Sequence, residues 1–155
     1  MPECNEFQFL DPGPLRDREL TAEVTARNPA DPEKGWVPSY NFALRLEGVQ
    51  ECVGTIGLRV GMTRSLELYA GHLGYWIEPQ WRGRHYAERG VRLVLPLAKR
   101  HGLATLWITC NPDNWPSRRT CERLGAEFVE IVPLPPDSDM YLQGEREKCR
   151  YRLVL

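Results

Sequence analysis

Apolar positions recur along this chain with two periods, first of two residues and later of three to four. The stretch EFQFLDP (6–12) alternates apolar and polar positions and runs into Asp-Pro-Gly-Pro, which predicts a strand closed by a turn. LRDRELTAEVTAR (15–27) is rich in helix formers and predicts a short helix. NPADPEKGWVP (28–38) holds three prolines and a glycine, so it predicts a loop long enough to carry function. YNFALRLEG (40–48), CVGTIGLRVG (52–61) and HLGYWIE (72–78) set β-branched and aromatic residues between glycines and predict three strands of an antiparallel meander.

From Gly83 the longer period takes over. Ala87, Val91, Val94, Leu95 and Ala98 form the stripe of an amphipathic helix packed on a sheet. Pro96 lies inside it and predicts a kink or an early end, while Lys99, Arg100, His101 and Gly102 supply the cations and the glycine of a helix stop. TLWITC (105–110) predicts a buried strand and NPDNWP (111–116) a loop. SRRTCERLGA (117–126) predicts a second helix with Ser117 as N-cap and Gly125 as stop. EFVEIVPL and CRYRLVL predict the last two strands, separated by the polar loop PPDSDMYLQGEREK. Strands and helices in this order predict an α/β or α+β fold with a mixed sheet.

Composition narrows what such a fold can do. At 155 residues, 42% apolar and 26% charged, the chain fits one domain over residues 1–155. Lys and Arg (20) balance Asp and Glu (21), so no broad basic field points to nucleic acid, and an anion must be gripped locally. MPECNEFQF lacks a basic segment followed by an apolar run, and no stretch is long and apolar enough to cross a bilayer; the expectation is a cytoplasmic protein with no membrane partner. The five cysteines (Cys4, Cys52, Cys110, Cys121, Cys149) are odd in number and form no CxxC pair, so reduced thiols and no metal site are expected.

A local grip for an anion is present in PQWRGRHYAERG (79–90). The first turn of a helix leaves backbone N–H groups unpaired and carries partial positive charge. Gly83 lets the main chain approach a ligand, and Arg82 and Arg84 bring full charges suited to phosphate. Arginines at this end oppose the helix dipole unless an anion compensates them.

A strand, then Gln80-x-x-Gly83-x-His85, a long helix, a strand, and Asn114-x-x-Ser117 ahead of a helix ending RLGAEF together resemble the GNAT superfamily of acyl-CoA-dependent acetyltransferases. GHLGYWIEPQWRGRHYAERGVRL (71–93) is similar to the ribosomal-protein N-terminal acetyltransferase branch, and the likeness covers roughly residues 40–132. It implies a mostly antiparallel central sheet of about six or seven strands flanked by helices, with a splayed pair of parallel strands holding the cofactor. It implies acetyl-CoA as co-substrate and a primary amine as acceptor, on a protein N-terminus, a lysine or a small molecule, in a monomer or homodimer. Gln80, Arg82, Gly83, Arg84, His85, Tyr86 and Ala87 would take the pyrophosphate, Asn114 and Ser117 would lie beside the pantetheine arm, and Asn111 competes with Asn114 for that place. His85 stands where the family carries glycine or alanine, and its side chain is expected to point away.

The resemblance also implies that backbone N–H groups near Trp76 and Ile77 face the acetyl carbonyl. His72 is a candidate base, with Tyr75, Glu67 and Glu78 as alternatives acting through water. Cys121 occupies the place of a tyrosine that serves many relatives as the acid, but reads first as a small core residue, which leaves water to reprotonate the thiolate. Trp36, Tyr40, Trp76 and Trp115 are candidates for an acceptor pocket, and Asp137, Asp139, Glu145 and Glu147 for attracting a cationic amine. The departures at His85 and Cys121 also permit a non-catalytic acyl-CoA-binding sensor or interaction domain.

Overall fold

The computed structural model describes residues 7–155; Cys4 and the start of the strand predicted at Glu6 lie outside them. Residues 7–14 are irregular rather than a strand. Pro12 and Pro14 have no N–H to give a ladder, and the Leu10 N–H donates to the Tyr40 hydroxyl at 2.7 Å instead. The predicted short helix is also absent. In its place β1 (Leu15–Asp17) and β2 (Leu20–Asn28) form a hairpin that turns at Arg18, whose φ is 54°. Helix propensity yields here to a period of two: Leu20, Ala22 and Val24 face the core, while pairing with β3 (Ser39–Leu46) satisfies the backbone.

β4 (Gly54–Arg59) and β5 (Leu73–Ile77) extend this sheet antiparallel, in the order β1-β2-β3-β4-β5. A second sheet, ordered β6-β8-β7, contains β6 (Thr105–Cys110), β7 (Glu127–Pro133) and β8 (Glu147–Val154). The described residues thus hold eight strands where six or seven were expected, because the hairpin replaces one strand and one helix. The polar loop between the last strands contains a single helical turn, Asp139–Leu142.

Helix α1 (Tyr86–Arg100) covers one face of the first sheet, burying Tyr86, Val91, Val94, Leu97 and Ala98. It runs through Pro96 without shortening, because that residue lies on the exposed side, where the carbonyl it leaves unpaired can face water. Two devices fix the helix over the sheet. A Cβ on Gly90 would come within 2.8 Å of Ile56 and 2.9 Å of Leu44, so its absence allows close packing. Arg89 then clamps the β1–β2 turn, with 2.6 Å bonds to Asp17 and Glu19. Helix α2 (Trp115–Arg123) follows β6 and buries Thr120 and Cys121. One buried cluster, from Leu20 and Tyr40 through Val94 to Ile108, Cys149 and Tyr151, joins both sheets and both helices.

Candidate active site

The two sheets meet where β5 lies beside β6. Their contact is made at the base of β5, where the His72 N–H donates to the Trp107 carbonyl at 2.7 Å and the Trp107 N–H donates to His72 Nδ1 at 2.9 Å. Because Nδ1 accepts, Nε2 carries the proton and donates to the Gly61 carbonyl at 2.9 Å. His72 is 0% exposed, and burial lowers its pKa, so it is a neutral strut with neither ring nitrogen free.

Further along, β5 and β6 belong to different sheets and leave a gap between β5, the start of α1 and helix α2. The backbone of β5 explains which groups face it. Arg59 N–H donates to the His72 carbonyl at 2.8 Å, and Glu78 N–H to the Val53 carbonyl at 2.9 Å. Bonded pairs alternate along an antiparallel ladder, so Gly74 and Trp76 turn their amides to β4 while Tyr75 and Ile77 turn theirs into the gap. The Ile77 carbonyl obeys the same alternation and accepts from Arg82 Nε at 2.8 Å. Of the two amides expected to face an acyl carbonyl, Ile77 has the right direction and Trp76 does not.

The gap is a cleft of about 510 Å³. Its lower wall holds Tyr75, Trp76 and Ile77, its upper wall Trp81, Arg82, Gly83, His85, Tyr86 and Ala87, and its far wall Asn114, Pro116, Ser117, Arg119, Thr120 and Arg123. At the upper wall a single 3-10 turn, Pro79–Trp81, leads into Gly83 at φ 82° and His85 at φ 63°. A left-handed residue just before a helix suits glycine, which is why a non-glycine at position 85 carries strain. His85 is exposed at the rim. Among the described residues, no protein group accepts from the amides of Gly83, Arg84, His85, Tyr86, Ala87 or Glu88. Arg82 lies over the ring of Trp76 at 4.4 Å and Arg84 over Trp81 at 5.4 Å.

The far wall begins at a capped helix. Asn114 Oδ1, not the Ser117 hydroxyl, accepts the capping bond, from the Ser117 N–H at 3.3 Å; Ser117 lies a full turn too far in to be the N-cap. This frees the Ser117 hydroxyl to pair with the Tyr75 phenol at 2.8 Å across the gap. Cys121 sits behind them, 3.9 Å from the same phenol and wholly buried. Burial pushes its thiol up to about 12 and pushes the Tyr75 phenol above its ordinary range, so both are protonated.

Other predicted residues divide by position. Gln80 and Arg84 do not line the cleft, although both border it in sequence. Asn111 is held by Glu145 and Lys148, with bonds of 3.0 and 2.9 Å, and does not line the cleft. Tyr40 is a core residue whose hydroxyl lies 2.6 Å from His101. Trp115 is exposed on α2 beneath the guanidinium of Arg118. Glu145 is tied to Lys148, while Asp137, Asp139 and Trp36 line a wide cleft on the other side of β5. Trp81, Pro116, Arg119, Thr120 and Arg123 line the site without having been singled out. The last four fall at helical spacing on one face of α2, a signal present in PSRRTCER (116–123) once the helix start is known.

The chain matches the sequence family described as Acetyltransferase (GNAT) domain over residues 1–127. No curated protein matches it. Among solved structures it is similar to ribosomal-protein-S5-alanine acetyltransferase from Vibrio fischeri, with TM-score 0.60 and 16% identity over 75% of this chain and 61% of that one. It is similar to RimL, a ribosomal L7/L12 alpha-N-protein acetyltransferase, with TM-score 0.64 and 13% identity over 91% and 97% of the two chains. RimJ from Mycobacterium smegmatis, in complex with CoA-disulfide, gives TM-score 0.57 and 20% identity over 75% and 53%. The chain spans less than two thirds of the Vibrio fischeri and Mycobacterium smegmatis proteins, and at these identities the likeness is one of fold. With the match covering residues 1–127 and the strand, anion-ready loop and helix in place, the chain belongs to the GNAT acetyltransferase family.

Proposed function

We propose that this chain transfers the acetyl group of acetyl-CoA to a primary amine, by direct attack with both substrates bound. One observation carries the reading: the amides of residues 83–88 have no protein partner among the described residues, and Gly83, His85, Tyr86 and Ala87 line the cleft. Main-chain donors left unpaired are costly where water is excluded, and an anion at a helix start satisfies them together. Gly83 adds no obstruction, since a Cβ there would meet nothing within 4 Å. Arg82, Arg119 and Arg123 along the same cleft add charge suited to phosphates. These residues fit a coenzyme that enters diphosphate first.

Acetyl-CoA would supply the thioester carbonyl and a thiolate leaving group. The chain's part is orientation and protons. The Ile77 N–H points into the gap, where it can stabilise a developing oxyanion. The Tyr75–Ser117 hydroxyl pair holds a proton there for the leaving group, and Tyr75 is kept neutral by its surroundings. His72 is assigned to holding β5 on β6 rather than to proton removal, since both its nitrogens are committed. The amine is taken to arrive neutral.

A second reading, an acyl-CoA-binding sensor, is favoured by that commitment of His72. Calorimetry with acetyl-CoA together with thiol release in the presence of amines separates the two. Micromolar binding with amine-dependent release of CoA is expected. Binding without release above hydrolysis would favour the sensor, and no binding would remove both.

A further inference from the structure

On the face of β5 opposite the cofactor cleft, the first sheet carries a depression of about 280 Å³. Its floor is the cross-strand pair Gly57–Gly74, two residues without side chains directly opposite each other. A Cβ on Gly74 would meet nothing within 4 Å, so the space above it is open. Asn41, Thr55 and Ser39 give it a polar wall, Trp76 closes one end with 54% of its surface exposed, and Arg59 closes the other. Tyr75 and Trp76 line both this depression and the cofactor cleft.

Arg59 is held differently from the arginines that form ion pairs. Arg16, Arg45, Arg89, Arg150 and Arg152 each meet a carboxylate. Arg59 meets none among the described residues: its Nη1 donates to the carbonyls of Gly71 at 3.0 Å and Ala70 at 3.4 Å, and its Nε and Nη2 have no protein acceptor. Arg59 is exposed, and partial desolvation of its guanidinium lowers its pKa from the ordinary arginine value. A guanidinium fixed by two carbonyls, at the edge of a cavity and with donors to spare, can receive a planar anion.

Resting on the acetyl-transfer reading above, we propose that the acceptor is a small amine that also carries a carboxylate, of amino-acid to dipeptide size. The carboxylate pairs with Arg59, the chain of the molecule lies over the Gly57–Gly74 floor against Trp76, and the amine reaches the gap beside Tyr75. The span suits this class. Arg59 stands opposite His72 and Trp76 lies four residues on, about 13 Å at the rise of a strand, from which the arginine side chain takes its own length. A larger cleft of about 1150 Å³ shares Ser39 and Arg59 with the depression and carries Asp31, Asp137 and Asp139, giving a route by which a cationic amine can approach.

The test compares matched acceptors with the full chain and acetyl-CoA. Glycylglycine, alanylglycine and triglycine are each set against their C-terminal carboxamides at about pH 9, where the α-amines of both members are largely neutral. The free acids are expected to exceed the amides in kcat/KM by roughly ten- to hundredfold, carried by KM. Arg59→Gln should abolish that preference while acetyl-CoA affinity and the rate on amides stay unchanged, and Arg59→Lys should restore part of it. Equal rates on acids and amides overturn the proposal, as does a preference that survives Arg59→Gln. So does failure to turn over any free acid by protein that calorimetry shows to bind acetyl-CoA, which leaves the cofactor reading standing. Absence of acetyl-CoA binding overturns that reading first and this one with it. If Arg59→Gln does not fold, the comparison of acids with amides on the unaltered chain decides alone.

Discussion

The two sides of β5 offer different kinds of group to a ligand. Toward α1 and α2, the groups that matter are main-chain: unpaired amides at 83–88 and the Ile77 N–H, held by a helix start and by strand alternation. Toward the open face of the first sheet, the wall is made of side chains, Arg59, Asn41, Thr55 and Trp76, over a glycine floor. Backbone recognition depends on where glycines and helix starts fall, and it tolerates exchange of neighbouring side chains. Side-chain recognition changes with each substitution. A fold of this kind can therefore keep one coenzyme while changing acceptors.

Four substitutions probe that contrast. The largest effect is expected at Gly83. Valine there must adopt a φ near 82° and would hold its branched carbon where the ligand approaches, so acetyl-CoA affinity should fall by about a hundredfold, alongside a strain cost of about 1–3 kcal/mol in stability. Unchanged affinity by calorimetry would mean that the coenzyme does not lie on these amides.

His72→Ala comes next and should act on stability rather than on chemistry. It removes two buried bonds and leaves the Trp107 N–H and the Gly61 carbonyl unpaired, costing about 2–3 kcal/mol. The parent protein should also lose stability in acid. The folded-state pKa of His72 is lowered by burial, so its contribution is complete above about pH 6.5 and declines as pH falls below it. Glu67 and Arg59 are the charges nearest that ring, and His101 shifts in the same direction. The difference in acid sensitivity between parent and variant isolates His72; identical melting curves against pH would remove the strut.

Tyr75→Phe deletes the phenol that faces Ser117 without emptying the space, and kcat should fall about tenfold or more with little change in KM for acetyl-CoA. A loss confined to KM would place the phenol in binding. The smallest effect is expected from His85→Gly, which relieves a left-handed non-glycine residue and should raise stability by about 1 kcal/mol with coenzyme affinity unaltered. A large fall in affinity would show that the imidazole touches the ligand.

What could be read from the sequence follows the same division. The anion-ready loop was legible because PQWRGRHYAERG combines glycine, arginines and the onset of a 3.6-residue period, each visible locally. The meander and both main helices were legible for the same reason. LRDRELTAEVTAR was not: its helix formers outvote its β-branched residues, and pairing with β3, which decides the outcome, is a tertiary fact. The role of His72 was hidden in another way. An imidazole near a GYW strand suggests proton transfer, and the Gly61 and Trp107 backbone groups that occupy it are 11 and 35 residues distant. The N-cap moved from Ser117 to Asn114 because Trp115 and Pro116 open the helix earlier than the polar run implies. Arg59 gave no signal, since an arginine's value depends on which carboxylates fail to reach it.

The backbone cradle can be observed amide by amide. In a nitrogen-15 correlation spectrum titrated with CoA, the resonances of Gly83 to Glu88 should shift more than those elsewhere, and their exchange with solvent should slow on saturation. Saturable CoA binding that leaves those six amides unmoved, with the shifts gathered in another part of the chain, would contradict the assignment.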